Sequence, residues 1–257
     1  MPSQKLKPFT RALCIVAGIC AVIAVWHLTF SLGWVSKLLL PPPSDVAQSL
    51  ARMAQTASFW HDVGSTVSTW LAGVIVGTIV GGVLGFILAL NPYIWAAAEP
   101  WVEFLRSLPS VVLVPLVSIF LGVGANSRFA CAALVVAVLM MASAATAIRA
   151  TRSSHLRLAV AWRATFLRTL ASFYFPATLS HLAVALRAAI PLALIVTVAA
   201  DMLIATDAGL GRILMDALAV FDTKKLYAGV IVVGALGYLA AGLSAILERK
   251  TIHWSGA

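Results

Sequence analysis

Long apolar runs separated by short polar connections dominate the pattern of this chain. A helix needs about 20 apolar residues to cross the roughly 30 Å hydrocarbon core of a bilayer, and five of six runs reach that length. The third run is shorter, and Pro109 and Pro115 near its start predict a kink or a re-entrant segment. The six runs are 12–32, 67–90, 111–124, 129–148, 182–204 and 227–247. We therefore predict an all-α membrane protein with about six transmembrane helices, forming a single domain over residues 1–257.

Composition places the chain in a membrane rather than in solution. Hydrophobic residues make up 61% of the sequence, charged residues make up 11%, and the mean hydropathy is +1.00. A soluble domain carries about 25% charged residues, so these values exclude one. The net charge of +9 does not indicate nucleic acid, because the basic residues lie at the ends of apolar runs rather than in one aromatic-interleaved patch.

The cysteines and histidines indicate neither a disulfide nor a metal or cofactor site. Cys14, Cys20 and Cys131 fall inside apolar runs without metal-ligand spacing, and their odd number leaves no complete disulfide set. We interpret them as packing residues. The five histidines are scattered over different segments, which argues against a metal cluster.

The distribution of Lys and Arg between the connections predicts the orientation. With the N-terminus inside, the inner connections carry 12 of these residues and the outer connections carry 6. Cytoplasmic loops hold the excess of positive charge in membrane proteins. Both termini are therefore predicted to be cytoplasmic. The first run is long enough to span the bilayer, which favours a helix over a signal peptide.

The connection between the first two runs, 33–62, contains three successive prolines from Pro41, which cannot continue a helix. Ser44 or Asp45 is predicted to cap a short helix running through Val46 to Gln55. We interpret this connection as an external elbow that sets how the first span leans on the others.

Four glycines recur every four residues in the second run. Four residues advance a helix by about 400°, so these glycines form one drifting stripe where another backbone can approach closely. We interpret the stripe as a helix-packing face. Its members are Gly73, Gly77, Gly81 and Gly85.

A short amphipathic segment, 96–108, precedes the third run and carries Glu99, Glu103 and Arg106. Spacings of three and four residues are typical of pairs on a helix surface. No nucleophile, metal ligand or phosphate-binding loop lies nearby, so a surface helix explains these residues better than a pair of catalytic carboxylates.

The segment 149–176 places five arginines between two apolar runs. On the predicted topology it lies on the cytoplasmic side, and we interpret it as a docking surface. The alternative is that its arginines only mark the inner side of the membrane and contact anionic lipid headgroups.

Four phrases of the sequence carry a resemblance to a known family. They are PPPSDV, EFLRSLPSVVLVPLVSIFLGVG at Glu103–Gly124, ADMLIATDAGLGRIL at Ala200–Leu214 and LERKTIHW at Leu247–Trp254. Together they resemble the membrane permease subunit of bacterial ABC importers, in the aliphatic sulfonate, nitrate and taurine group. The resemblance covers nearly all of the chain, with its core at about 63–250, and implies a type I importer permease fold with a cytoplasmic coupling helix.

The signature loop of that family reads EAA, three residues, Gly, and a Pro thirteen residues after the Gly, and Pro176 fits the closing position. Arg163 then stands at the Gly position and Arg157 at the Glu position. Glycine permits a close approach and unusual φ values that arginine does not, so Arg163 implies a different corner or a looser fit. The resemblance implies these ATPase-coupling residues: Arg157, Leu158, Ala159, Arg163, Ala164, Phe166 and Pro176.

The resemblance also implies a function and its partners. The chain is expected in the bacterial inner membrane, forming a pathway for a small anionic solute such as sulfonate, taurine or nitrate. Two ABC ATPase subunits would bind inside and a solute-binding protein outside, and a second permease copy or a paralogous permease would complete the complex. The sequence contains no G-x-x-x-x-G-K-[ST] loop, so we expect no enzymatic activity from this chain.

Two charged residues belong to the predicted fifth span. Asp201 lies near its outer end, where it either lines a gate or holds a neighbouring segment through backbone N–H groups. Arg187 lies near the inner end, where it either attracts an anionic solute or extends to the membrane interface.

Two other classes of function stay open at this point. An ion-coupled secondary transporter would use buried acids and discontinuous helices near the midplane, and Asp201 is its one candidate. A membrane scaffold that transports nothing is the other, because two hallmark residues of the signature loop are replaced by arginine.

Overall fold

The computed structural model describes residues 8–36, 38–161, 165–204 and 207–251, with side chains throughout apart from those of 8–9, 11–12, 152–161, 166 and 246–251. The described residues form ten α-helices and no strand, which confirms the all-α class. The helices are α1 (Pro8–Ser31), α2 (Pro43–Ala54), α3 (Ala57–Leu90), α4 (Pro92–Ser107), α5 (Leu113–Leu121), α6 (Ala125–Ala161), α7 (Phe166–Thr169), α8 (Phe175–Leu203), α9 (Leu210–Ala219) and α10 (Thr223–Thr251).

Five of the described helices, α1, α3, α6, α8 and α10, are long and apolar enough to cross a membrane. The sixth candidate is a broken element in which α4 and the segment Ser110–Leu121 meet at 92°. The predicted kink near Pro109 is therefore a sharp break. The second span begins at Ala57 rather than at residue 67, because the first turns of α3 carry polar side chains that the apolar pattern does not count.

Contacts divide the chain into two compact units. One comprises Met1–Phe59 and Leu214–Ile231, and the other comprises Trp60–Ile213 and Val232–Ala257.

Within the larger unit, α6 and α8 pack along each other through small side chains. Ala132 and Ala144 on α6 and Ala189 and Ala193 on α8 are fully buried. Small residues let two helix backbones approach closely in a membrane, where van der Waals packing replaces the hydrophobic effect. Trp70 of α3 adds a hydrogen bond from Nε1 to the carbonyl oxygen of Ile190, at 2.9 Å.

The glycine stripe of α3 lies against α6. A Cβ atom added at Gly73 would lie 2.6 Å from the Cβ of Ala132, closer than any real contact. At Gly77, Gly81 and Gly85 it would overlap successive backbone atoms of α6. Because glycine has no side chain, α3 and α6 can lie this close together.

The smaller unit joins α1, α2 and the start of α10. Trp26 donates from Nε1 to the carbonyl oxygen of Pro41 at 3.0 Å, and its ring centroid lies 5.6 Å from that of Tyr227. The indole thus contributes an apolar face and a polar donor to the same junction.

The start of α2 differs from the prediction, because neither Ser44 nor Asp45 caps it. The helix begins at Pro43, after an N-cap at Pro42 that makes no side-chain hydrogen bond. Proline suits the first helical position, where its missing N–H would have had no partner in the helix. Asp45 instead pairs with Lys224 at 2.7 Å, and this hydrogen bond holds the pKa of its carboxyl below the usual value.

Helix α4 is longer than the predicted surface segment and is only partly a surface helix. Asn91 caps it by accepting a hydrogen bond from the N–H of Tyr93 at 2.9 Å. Trp95 and Val102 are buried, while Arg106 and Glu103 form an exposed ion pair at 2.7 Å.

Candidate functional site

A buried ion pair joins the first turn of α6 to the last turn of α8. Arg128 Nη1 lies 2.7 Å from Asp201 Oδ1, and the two side chains are 5% and 0% exposed. Asp201 Oδ2 accepts a second hydrogen bond from Thr66 Oγ1 of α3, also at 2.7 Å. Buried charges persist only when they are paired and hydrogen-bonded, and both conditions are met here.

A second ion pair extends this cluster to α9. Asp62 of α3 pairs with Arg212 at 2.9 Å and accepts the backbone N–H of Gly209 at the same distance. The backbone at the start of α9 connects the two pairs, because the N–H of Leu210, next to Gly209, donates to Thr66 Oγ1 at 2.8 Å. Two acids and two arginines therefore form one network of balanced charge.

The network fixes the segment that leads into α9. Arg128 Nη1 also donates to the carbonyl oxygen of Ala208, at 2.8 Å. Gly209 has φ +142°, in the left-handed region, and a Cβ atom there would overlap the Asp201 carboxyl group. Only glycine fits both the backbone conformation and the space. We name this cluster the outer lock, after the side on which the predicted topology places it; its side chains come from Asp62, Thr66, Arg128, Asp201 and Arg212.

Asp201 is the predicted member of this cluster, and the structure places it in a sealed contact rather than on an open surface. Its carboxylate accepts hydrogen bonds from the side chains of Arg128 and Thr66, while the backbone N–H of Gly209 in the neighbouring segment donates to Asp62. The choice between the two roles expected for Asp201 stays a prediction. Arg187 lies apart from it on the exposed side of α8, fourteen residues or about 21 Å away along the helix. The structure does not bring these two residues together.

The lock partners of Asp201 escape sequence reasoning because they are distant in sequence. Thr66 and Asp201 are 135 residues apart, and Arg128 and Asp201 are 73 apart. Arg128 counts only as a loop charge in the topology. The one local signal is the pair Gly209 and Gly211, which follows Asp201 closely and indicates a tight backbone approach.

The basic segment 149–176 forms the ends of two helices. Arg157, Leu158 and Ala159 belong to the last turns of α6, while Arg163 and Ala164 lie outside the described residues. Phe166 begins α7, and Pro176 lies in the first turn of α8.

A π-helical turn, Leu170–Tyr174, separates α7 from α8. Pro176 follows it and has no N–H to donate, which interrupts the regular hydrogen-bond ladder at this point. Such turns are rare and occur often at functional sites.

The base of the same segment is attached to α4. Arg149 Nη1 lies 2.5 Å from Glu99 Oε1, and beside this pair Trp95, Ile148 and Tyr174 form part of one buried apolar cluster. The cluster packs α4, α6 and the π-helical turn against one another.

Among the described residues, no three His, Cys, Asp or Glu side chains come close enough to hold a metal ion. All three cysteines are free thiols, with Cys131 buried.

Comparison with known proteins gives consistent matches over most of the chain. The family model described as "Binding-protein-dependent transport system inner membrane component" matches residues 77–253. The taurine transport system permease protein TauC of Escherichia coli (strain K12) is 26% identical, covering 99% of this chain and 95% of the relative. The "Putative aliphatic sulfonates transport permease protein SsuC" of the same strain is 26% identical, covering 92% and 89%.

A solved structure shares the fold. A chain of the MetNI methionine ABC transporter, in an inward-facing conformation, superposes with a TM-score of 0.64 at 15% identity, covering 74% of this chain and 96% of that chain. The type I importer permease fold is thereby confirmed.

Proposed function

The chain belongs to the family of binding-protein-dependent transport system inner membrane components, and on this premise we propose that it forms the pathway for a small anionic solute, coupled to a separate ATPase. It is a permease of an ABC importer, a component of the inner membrane without enzymatic activity of its own. The solute, the ATPase contact and the stoichiometry are the parts proposed here.

The match to the taurine permease carries the proposal for the solute. It extends over 99% of this chain, and the aliphatic sulfonate permease matches 92%. Both names refer to small sulfonates, so we propose taurine or a related sulfonate as the transported class. The length of the match also supports treating residues 1–257 as one permease domain.

The segment 149–176 is the proposed contact with the ATPase. Residues Arg157, Leu158, Ala159, Arg163, Ala164, Phe166 and Pro176 occupy the positions of the family's signature loop. The Glu99–Arg149 pair and the apolar cluster beside it would transmit movement of this segment to α4. We propose two ATPase subunits on this side, a second permease beside this one, and a solute-binding protein opposite.

The excess of Lys and Arg on one side supports cytoplasmic termini. On that orientation the outer lock faces away from the ATPase, and Asp201 has a positioning role. The glycine stripe formed by Gly73, Gly77, Gly81 and Gly85 would keep α3 and α6 together as the pathway opens, while Arg187 would lie at the inner interface.

Transport in proteoliposomes tests the proposal. The permease is reconstituted with its cognate ATPase and solute-binding protein, and uptake of radiolabelled taurine is measured with and without ATP. We expect uptake that needs ATP and the ATPase subunit and is insensitive to a proton uncoupler. Uptake that persists without ATP and collapses with the uncoupler would indicate a secondary transporter, and the absence of uptake for every sulfonate would reject the proposed solute class.

A further inference from the structure

A cavity of about 190 Å³ lies at the break between α4 and α5. Seven apolar side chains and two polar residues, Arg106 and Ser110, line it. A cavity needs about 10–15 Å³ of this kind of volume to hold one water molecule, so this one has room for several waters or one small solute.

The position of the cavity along α6 gives its depth. Arg128 and Arg149 are 21 residues apart on this helix, or about 31 Å, which equals the thickness of the hydrocarbon core. The lining residues Leu134 to Leu139 lie between them, about 9–17 Å from Arg128. Leu192 of α8 lines the same cavity, about 14 Å along its helix from Asp201. The cavity is therefore near the middle of the membrane.

Arg106, which the sequence pattern assigned to an inner connection, lines this cavity in the structure. An arginine at this depth is costly unless it faces the interior of the bundle or a water-filled space. The Arg106 side chain is 43% exposed within this chain, so it requires such a space or a protein partner beside it. Its Nη1 donates to Glu103 Oε1 at 2.7 Å, and among the described residues this is the contact that the guanidinium makes. A guanidinium has five N–H donors in a planar fork, and one contact leaves several for an anion.

We propose that this cavity binds the acidic group of the transported sulfonate, with Arg106 as its charge partner and Ser110 as a hydroxyl donor. The inference rests on the proposed function and names the place in the pathway where the solute is held. A planar fork of donors suits an oxyanion, and apolar walls suit a short aliphatic chain.

Glu103 gives the site a way to release its ligand. Its carboxylate balances the charge of Arg106 at 2.7 Å, and an entering sulfonate competes for the same guanidinium. Moderate affinity follows, which a pathway needs because the solute must leave again.

Direct binding tests this inference without requiring transport. The permease–ATPase complex in lipid nanodiscs, without the solute-binding protein, is titrated with radiolabelled taurine, with ethanesulfonate as competitor. We expect saturable binding by the wild type, at least about tenfold weaker binding by Arg106→Gln, partial recovery in Arg106→Lys, and equal or tighter binding by Glu103→Gln. Arg52→Gln removes an exposed arginine on α2 that bonds Gln48 and takes no part in the proposed pathway. It is the control and should bind taurine like the wild type.

The outcomes separate this inference from the proposed function. Equal binding by wild type and Arg106→Gln, or no binding by a wild type that takes up taurine with ATP, overturns the cavity as the solute site. A wild type that binds taurine through Arg106 but shows no ATP-driven uptake supports the site and rejects the proposed function. Thermal unfolding of each variant, followed by tryptophan fluorescence, verifies that the complex is folded in the binding assay.

Discussion

Arg128 and Asp201 are joined at 2.7 Å between the first turn of α6 and the last turn of α8, with both side chains almost completely buried. Removing one partner leaves an unpaired charge inside the protein, which costs about 3–5 kcal/mol. We therefore predict that Arg128→Gln or Asp201→Asn strongly lowers the stability of the permease. Chemical unfolding of the purified complex, followed by tryptophan fluorescence, measures the loss.

The double variant Arg128→Gln with Asp201→Asn sharpens this prediction. The effects of substitutions within one network on stability are not additive. The double variant should therefore lose less stability than the sum of the losses of the two single variants. Arg52→Gln serves as the surface control, because Arg52 is exposed and bonds Gln48 within α2. Its effect should stay within about 0.5 kcal/mol. If the double variant instead loses as much stability as the two single variants together, the two lock residues act independently.

Gly209→Ala should disrupt the outer lock from its backbone side. The substitution needs a left-handed φ of +142° and places a methyl group on the Asp201 carboxyl, so both strain and overlap oppose it. Gly234→Ala is the control, because a Cβ there meets nothing within 4 Å inside a regular helix. We expect a large fall in unfolding midpoint for the first variant and little change or a small gain for the second. Equal midpoints would contradict the assigned role of Gly209.

The spans were predictable from sequence because their signal is local. Length and hydropathy alone predict α1, α6 and α10, whereas α3 extends ten residues beyond its apolar run since Asp62 and Thr66 are polar yet buried. Of the outer lock, only Asp201 was predictable, as a charge within the fifth span. Its partners were not, because the pairs join residues far apart in sequence and Asp62, Arg128 and Arg212 each look like loop charges. The start of α2 was mispredicted because proline geometry, rather than a side-chain cap, begins that helix.

The glycine stripe gives a prediction with a control on the same helix. Gly81→Ala should separate α3 from α6, since the added methyl overlaps the backbone of Ala137. Gly64→Ala places the same methyl on α3 where nothing lies within 4 Å. Alanine is preferred over glycine inside a helix by about 0.5–1 kcal/mol, so the control should be neutral or stabilising. Unfolding midpoints of both variants, measured in the same detergent, test the difference.

We expect the arginines of the segment 149–176 to contact the ATPase through their charge. Arg157 and Arg163 replace a Glu and a Gly of the family's signature loop, and we expect them to face an acidic groove on the cognate ATPase. Charge reversal by Arg157→Glu or Arg163→Glu should weaken co-purification of the ATPase by about tenfold or more, because like charges across an interface cost several kcal/mol. Wild-type association should also weaken as salt is raised from 0.1 to about 1 M, over which the Debye length falls from about 10 to 3 Å.

A charge-reversed control on another helix distinguishes the ATPase contact from a general effect of charge on binding. Arg52→Glu makes the same change on α2, which the predicted topology places on the opposite side of the membrane, and it should leave ATPase binding intact. If Arg163→Glu also leaves binding intact but makes reconstituted activity insensitive to anionic lipid, the arginines contact headgroups instead. Arg163→Gly then tells whether the contact depends on the backbone corner of the loop or on the charge of the arginine. It restores the residue that the family has at the corner, so retained binding with wild-type ATP turnover would show that Arg163 contributes nothing to the contact.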